Sequence, residues 1–274
     1  TRIGLLPRSF VPDETIQELR ELTRQRKHYV ESRNRETNRI HKILQSGGIY
    51  IEDIMGLSGR NLLQLLVDGT PITPRIVHQS VYTSLKKKVP QLLEALDDYF
   101  SDHHRFMLKQ SLEIYDFYQK QIELLEERMN VYLSQYEKHV EILDSIPGID
   151  VITASVIISE VGVDMSQFPT FGHLASWAGL CPGNNESAGK KRSTKIRHGN
   201  SYLKKCLCQA AFAVKRQKGS PLAERYYQIQ SRRGSQKATI ALAHQLLKIA
   251  YILLKEQMTY PEFLAQKKRL LGTS

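Results

Sequence analysis

The sequence predicts a mainly α protein, in which a long helical, coiled-coil region is followed by a compact α-helical domain carrying a helix-hairpin-helix-like element. Three observations predict it. Apolar residues recur at three- and four-residue steps over two long stretches, and no persistent period-2 alternation is seen. Gly47-Gly48 and Pro147-Gly148 punctuate the chain where a helix would be costly to continue. The excess positive charge is confined to one late segment, which sets that part apart from the rest.

In chain order, residues 1–12 are Pro-punctuated and extended. Pro12 and Asp13 then set up a helix start, with Glu14 favourable in its first turn. The helix runs to about Leu44 with an apolar stripe of Ile16, Leu19, Val30, Ile40 and Leu44, and "QSGGI" ends it. Residues 49–75 read as short helices with turns at "GLSG" and "DGTPITP". Two further helices follow, the second from Ser101 or Asp102 to about Leu143.

Steps of four and three along that second helix give Leu108, Leu112, Tyr115, Gln119, Ile122, Glu126, Met129, Leu133, Tyr136 and Val140, a seam with two polar interruptions. Such a seam serves equally an intramolecular hairpin with the 13–44 helix or a dimerising coil, and both can hold at once, so a homo-oligomer through the coil is expected. "SIPGID" breaks it, and helices are predicted from about Asn200 to Gln217, Leu222 to Arg232 and Gln236 to Glu256. The expected organisation is a helical segment over 1–75, a region with the long coiled-coil helix over 76–141, a C-terminal domain over 142–264 and a basic tail over 265–274.

With 274 residues and 41% hydrophobic content the chain can bury one large core or two modest ones. The most apolar stretch, "ATIALAHQLLKIAYILL", contains His244, Gln245 and Lys248 and reads as a buried helix, so no membrane partner is expected. Cys181, Cys206 and Cys208 are too few for a disulfide framework, which fits a cytoplasmic, reduced protein. The chain begins at Thr1, not Met, and is expected to be processed or a piece of something longer.

Charge narrows the function. From Ser187 to Lys237 there are fourteen Lys/Arg and one acid, Glu224, a local net of +13, whereas the remainder carries twenty-five basic and twenty-seven acidic residues. An imbalance this local points to a nucleic-acid surface, its alternative being a solvated face. The stretch "CPGNNESAGKKRSTKIRHGN" holds three glycines and five Lys/Arg and follows an apolar run. A serine hydroxyl attacking a phosphodiester needs cations around the pentavalent transition state and a thin backbone near the strand. Ser187 sits in such a setting, and Ser193 is the rival serine. By charge and proximity, Lys190, Lys191, Arg192, Lys195, Arg197, Lys204, Arg232 and Arg233 are the candidate phosphate contacts.

Metal chemistry has less support. Cys206 and Cys208 lie two apart on a predicted helix, His103 and His104 lack a third ligand, and Asp53, Asp68, Asp97 and Asp98 are scattered. In "IPGIDVITASVIISEVG" a Pro-Gly turn and the following helix start could present N–H groups to a phosphate, or could simply join two helices; Asp150 stands where glycine is usual in such motifs.

From "GIDVITASVIISEVG" through "FPTFGHLASWAGLCPGNNESAGK" to "RRGSQKATIALAHQLLKIAYILLK", the sequence resembles the C-terminal transposase domain of the IS-one-ten family of insertion sequences, with its IS-one-sixteen and IS-nine-oh-two types. Upstream, "RELTRQRKHYVESRNRETNRIHKIL" and "GLSGRNLLQLLVDG" are similar to the family's central region. The resemblance implies a DNA recombinase that pairs donor and target DNA through a structured bridge RNA. It implies an N-terminal RuvC-like domain with four acidic Mg²⁺ ligands, and a nucleophilic serine in the "S-x-G" after "GLCPG", here Ser187. Nothing but Thr1-Arg2-Ile3-Gly4 precedes "LLPRSF", so the acidic domain is expected to be absent and this chain alone inactive, with no metal or cofactor of its own. A non-catalytic nucleic-acid-binding module is the alternative.

Overall fold

A computed structural model describes residues 13–51, 53–70, 73–80, 90, 93, 100–181, 185–187, 190–193, 198–217, 219–270 and 272. The elements are α1 (Glu14–Ser46), α2 (Leu57–Val67), α3 (Pro74–Ser80), α4 (Asp102–Leu133), a 3₁₀ turn (Ser134–Tyr136), α5 (Glu137–Asp144), α6 (Val151–Val161), a second 3₁₀ turn (Met165–Gln167) and α7 (Phe171–Trp177). Strands β1 (Asn185–Ser187) and β2 (Lys190–Ser193) come next, then α8 (Ser201–Val214), α9 (Pro221–Arg233), α10 (Ser235–Glu256) and α11 (Tyr260–Leu270). The protein is mainly α. The helix expected before Ser101 falls largely outside the described residues.

The chain divides into two compact units, one of residues 25–126 and one of residues 1–24 with 127–274. The division differs from the expected boundary at 141/142, because both ends of the helical hairpin belong to the second unit's core. There, Leu19 of α1 is buried with Met129 and Leu133 of α4 and with Ile142, Leu143 and Ile146.

In the 25–126 unit, Ile40 and Leu44 of α1 close on Leu108 and Leu112 of α4, and Ile54, Leu62, Leu63, Leu66 and Phe100 complete the core. The seam's two polar interruptions have partners on α1: Arg33 donates to the Gln119 side chain, and Arg26 meets Glu126 at 2.6 Å. The seam positions Leu108, Leu112, Ile122, Met129 and Leu133 are thus buried within the chain itself, as the intramolecular hairpin requires. A continuous helix to Leu143 gives way. Ser134 Oγ donates to the Val131 carbonyl at 2.8 Å, the local bonding by which serine competes with the helix ladder, and a 3₁₀ turn intervenes.

The other unit is built around α10, whose Leu242, Ala243, Leu246, Leu247, Ala250, Leu253 and Leu254 are buried. This is the one described helix long and apolar enough to cross a membrane, and most of it is buried in the core. Between α5 and α6, Gly148 adopts φ 82°, and a Cβ there would strike Val214 and the Ala210 carbonyl of α8. Asp150 caps α6 by accepting from the Thr153 N–H at 2.8 Å. The turn is thus packed on one side and its helix start is capped from within, as a joint between helices requires. The expected basic tail is helical as far as Leu270.

Candidate nucleic-acid interface

The basic loop leaves and re-enters the fold at one point. At its start, α7 closes with the Gly179 and Leu180 N–H groups donating to the Ser176 and Ala175 carbonyls, both at 3.0 Å, with Gly179 at φ 68°. At its end, the Asn200 N–H donates to the Trp177 carbonyl at 3.0 Å. Gly199 lies so close to Gly179 that any Cβ would overlap the Gly179 backbone and the Trp177 carbonyl oxygen. Only glycine lets the two stems meet.

Asn200 secures the return. Its Oδ1 accepts from the N–H groups of Tyr202 and Leu203, both at 3.0 Å, which caps α8. Its Nδ2 donates to Glu160 Oε2 at 2.6 Å. Glu160, in the last turn of apolar α6, is 1% exposed. A buried carboxylate is tolerated only when its oxygens are fully engaged. Arg24 supplies a fork, Nε at 2.8 Å and an Nη at 2.9 Å, and its guanidinium lies over the Tyr202 ring at 4.6 Å. Arg20 stands 3.6 Å from the same carboxylate and donates to the Ser159 carbonyl at 2.8 Å. The hydrogen bond to Glu160 raises the Arg24 pKa, whereas burial lowers that of Arg20; both stay cationic at neutral pH.

Between these stems the backbone forms an antiparallel hairpin. Ser187 pairs with Lys190, Glu186 with Lys191 and Asn185 with Ser193, so Arg192 is an extra residue at a register shift. The strands are too short and too polar to leave a readable alternation, which is why the sequence shows only a loop. The hairpin brings Ser187 and Lys190 together at its tip and carries Lys191 and Arg192 along the return strand; Ser193 lies at its base. Lys195 and Arg197 lie outside the described residues. Lys204 is half-buried in the first turns of α8. Arg232 and Arg233 are exposed and line an open cleft with Arg225, Gln228 and Ile229.

Sequence reasoning missed the Glu160–Arg24–Asn200 anchor. A signal was present: Glu160 is the only charged residue in "VITASVIISEVG", and a lone carboxylate on an otherwise apolar helix needs a fixed cation. It also passed over Arg225, one of several cations between 187 and 237.

The family profile described as "Transposase IS116/IS110/IS902 family" matches residues 140–228, a span that holds the α5–α6 turn, the anchor's Glu160 and Asn200, and the hairpin. A second transposase profile, of the IS110 DEDD type, matches residues 1–48. The chain thus carries transposase domains of the IS116/IS110/IS902 family. Relatives agree. An "Insertion element IS110 uncharacterized 43.6 kDa protein" of Streptomyces coelicolor is 34% identical over 139 residues, 50% of this chain and 33% of that protein. An "Insertion element IS900 uncharacterized 42 kDa protein" of Mycobacterium paratuberculosis is 28% identical over 127 residues, 45% of this chain and 31% of its own length. The "Transposase for insertion sequence element IS1111A" of Coxiella burnetii is 26% identical over 260 residues, 92% of this chain and 63% of that transposase. The chain thus spans less than two thirds of each relative.

Among the described residues, no group of three or more His, Cys, Asp or Glu side chains is placed to hold a metal ion. His104 is engaged locally with Ser101, Nδ1 to Oγ at 2.8 Å, and Glu160 is saturated by its cations and Asn200. With its oxygens engaged in this way, Glu160 does not fit a Mg²⁺ site.

Proposed function

We propose that this chain is the helical and serine-bearing part of an insertion-sequence recombinase, which binds DNA together with a structured guide RNA and cuts and rejoins strands through Ser187. The reading rests on one observation above all. Within the span matched by the transposase profile, a cationic hairpin carries Ser187 opposite Lys190, and its stems are locked to a buried ion-pair anchor. A nucleophile on such a hairpin can be offered to a strand while the fold beneath it stays fixed.

In this scheme Ser187 Oγ attacks the phosphorus of a strand. A serine–phosphate ester forms, the broken strand departs as a hydroxyl, and the serine proton passes to a base outside this chain's described residues. Lys190, Lys191 and Arg192, with Lys195 and Arg197, balance the charge on the phosphoryl oxygens. The carboxylate site that would hold Mg²⁺ belongs to another domain in this scheme, so the chain alone binds nucleic acid without cleaving it. The second reading is a nucleic-acid-binding module without catalysis, and the local net charge of +13 between Ser187 and Lys237 supports binding in either reading.

The test sets Ser187→Ala beside Ser193→Ala in a recombinase that also carries the acidic domain, trapping protein–DNA adducts on a suicide substrate. Ser187→Ala is expected to abolish the adduct while leaving DNA affinity and the melting temperature unchanged. An adduct that survives Ser187→Ala and disappears with Ser193→Ala moves the nucleophile to the other serine. An adduct that survives both removes the serine mechanism.

A further inference from the structure

Helix α9 carries an open cleft. It has a volume of about 320 Å³ and is lined by Arg225, Gln228, Ile229, Arg232 and Arg233. That is the lower end of the range for ligand sites, roughly 300–1,000 Å³. All three arginines are exposed, and Ile229 is half-buried beneath them. Among the described residues no carboxylate lies within salt-bridge distance of any of the three. Elsewhere Arg20, Arg24, Arg26, Arg39, Arg60 and Arg105 each meet an acid, and Arg33, Arg35 and Arg128 bond neutral side chains.

Three guanidiniums crowded on one helix face repel one another, and the last turn of α9 gives only its helix dipole in return. Such an arrangement needs an anion from outside. Guanidinium forks suit phosphate oxygens, which accept two parallel N–H bonds, and the Gln228 amide can add a further donor. Arg225 and Arg232 are seven residues apart, about 10 Å along the helix axis at 1.5 Å per residue. On one strand a phosphate recurs about every 3.4 Å of duplex axis, and neighbouring phosphates are farther apart than that along the winding strand, so this spacing takes in about two of them. A compact anion would leave one end of the cleft empty; a backbone fills it.

We propose that the α9 cleft is a phosphodiester-binding seat in its own right, one that holds consecutive backbone phosphates of a nucleic-acid strand. The proposal rests on the nucleic-acid reading above but not on the identity of the nucleophile. It makes the cleft a positioning site: it fixes where the strand lies and reads no base.

The test is the salt dependence of binding by this chain. Anisotropy is measured from 50 to 400 mM KCl with a labelled 30-base-pair DNA duplex and with an RNA duplex of the same length. The variant R225Q/R232Q/R233Q is compared with K267Q/K268Q/R269Q, which removes the same charge from exposed positions on α11. Each phosphate contact contributes about 0.9 to the log–log slope, so the cleft variant should flatten it by about 2, and the α11 variant by less than about 1. Equal flattening by both would reduce the effect to net charge and overturn the seat. An unchanged slope in the cleft variant overturns it as well. Flattening with the DNA duplex alone assigns the strand to DNA, and with the RNA duplex alone to RNA; either supports the proposal. If the triple variant loses its helical signal, the single variants Arg225→Gln and Arg232→Gln carry the test, each expected to remove about 0.9. A parent slope near zero with both duplexes would remove the nucleic-acid reading itself, and the cleft with it.

Discussion

Two arginine–carboxylate pairs on α1, two residues apart in sequence, are built to opposite specifications. Arg24 holds Glu160, whose side chain is 1% exposed and takes three hydrogen bonds of 2.9 Å or less. Arg26 holds Glu126, whose side chain is 35% exposed and reaches water. The first carboxylate has lost its hydration, so each missing donor leaves a buried charge exposed to the low-dielectric interior. The second can exchange protein for solvent with little change in free energy. The difference teaches that distance alone does not rank ion pairs, for both approach within 2.8 Å. The Glu160 pair also has a structural consequence that the Glu126 pair lacks: through Asn200 it sets where the cationic hairpin rejoins the fold.

The largest expected effects come from the apolar layers that flank these pairs. Ile122→Asp and Leu133→Asp each place a carboxylate at a buried position, 3% and 6% exposed. Each should cost about 4 kcal/mol or more. Loss of the helical signal at 222 nm or of cooperative melting is the expected readout. A folded variant that only changes sedimentation from dimer to monomer would show that the seam is an interface after all.

Next in size is the comparison itself. Glu160→Ala should lower stability by about 3 kcal/mol, since it strips the fixed acceptor from Arg20, Arg24 and Asn200 together, although the two arginines can still reach water. Glu126→Ala should cost under about 1 kcal/mol. Urea midpoints at constant slope measure both. Equal losses would mean that burial does not separate the two pairs. Asn200→Ala falls between them at about 1–2 kcal/mol, the range for an N-cap plus a charge-assisted hydrogen bond. It should also speed tryptic cleavage between residues 190 and 197, where five Lys/Arg lie. Unchanged cleavage would show that the hairpin does not depend on its return stem.

Much of the fold was legible because helices announce themselves through period and punctuation. The α1 stripe of Ile16, Leu19, Ile40 and Leu44 is buried, Asp13 caps the helix through the Ile16 N–H at 2.8 Å, and Gly47-Gly48 ends it. The seam on α4 was legible as a seam but not its use, because periodicity is blind to whether the covering helix is in the same chain. Gln119 and Glu126 held the clue: polar residues at seam positions find their complements in Arg33 and Arg26. The hairpin was hidden because three- and four-residue polar strands carry no alternation to read. The anchor was hidden for a different reason. Arg24, Glu160 and Asn200 are far apart in sequence, and only the packing of α1, α6 and α8 in one unit brings them together. For the candidate site, charge located the segment, but the division between the serine hairpin and the α9 cleft is a tertiary fact.

The smallest predicted effect is a pH dependence in the unit that holds Glu160. His244 on α10 is half-buried with its ring edge-on to Phe171 at 5.0 Å; burial first, and then Lys248, lower its pKa. His139 is shifted down in the same way by burial and Lys138. For both, the unfolded chain takes up a proton below about pH 6.5 while the folded form stays neutral. The unfolded state therefore binds more protons in that range, and stability falls as pH drops below the unfolded value and is level above it. A melting temperature that declines from pH 7 to pH 5, less steeply in His244→Gln, is the expected outcome. Should the decline persist undiminished in a His139→Gln/His244→Gln variant, the two histidines would not be its source.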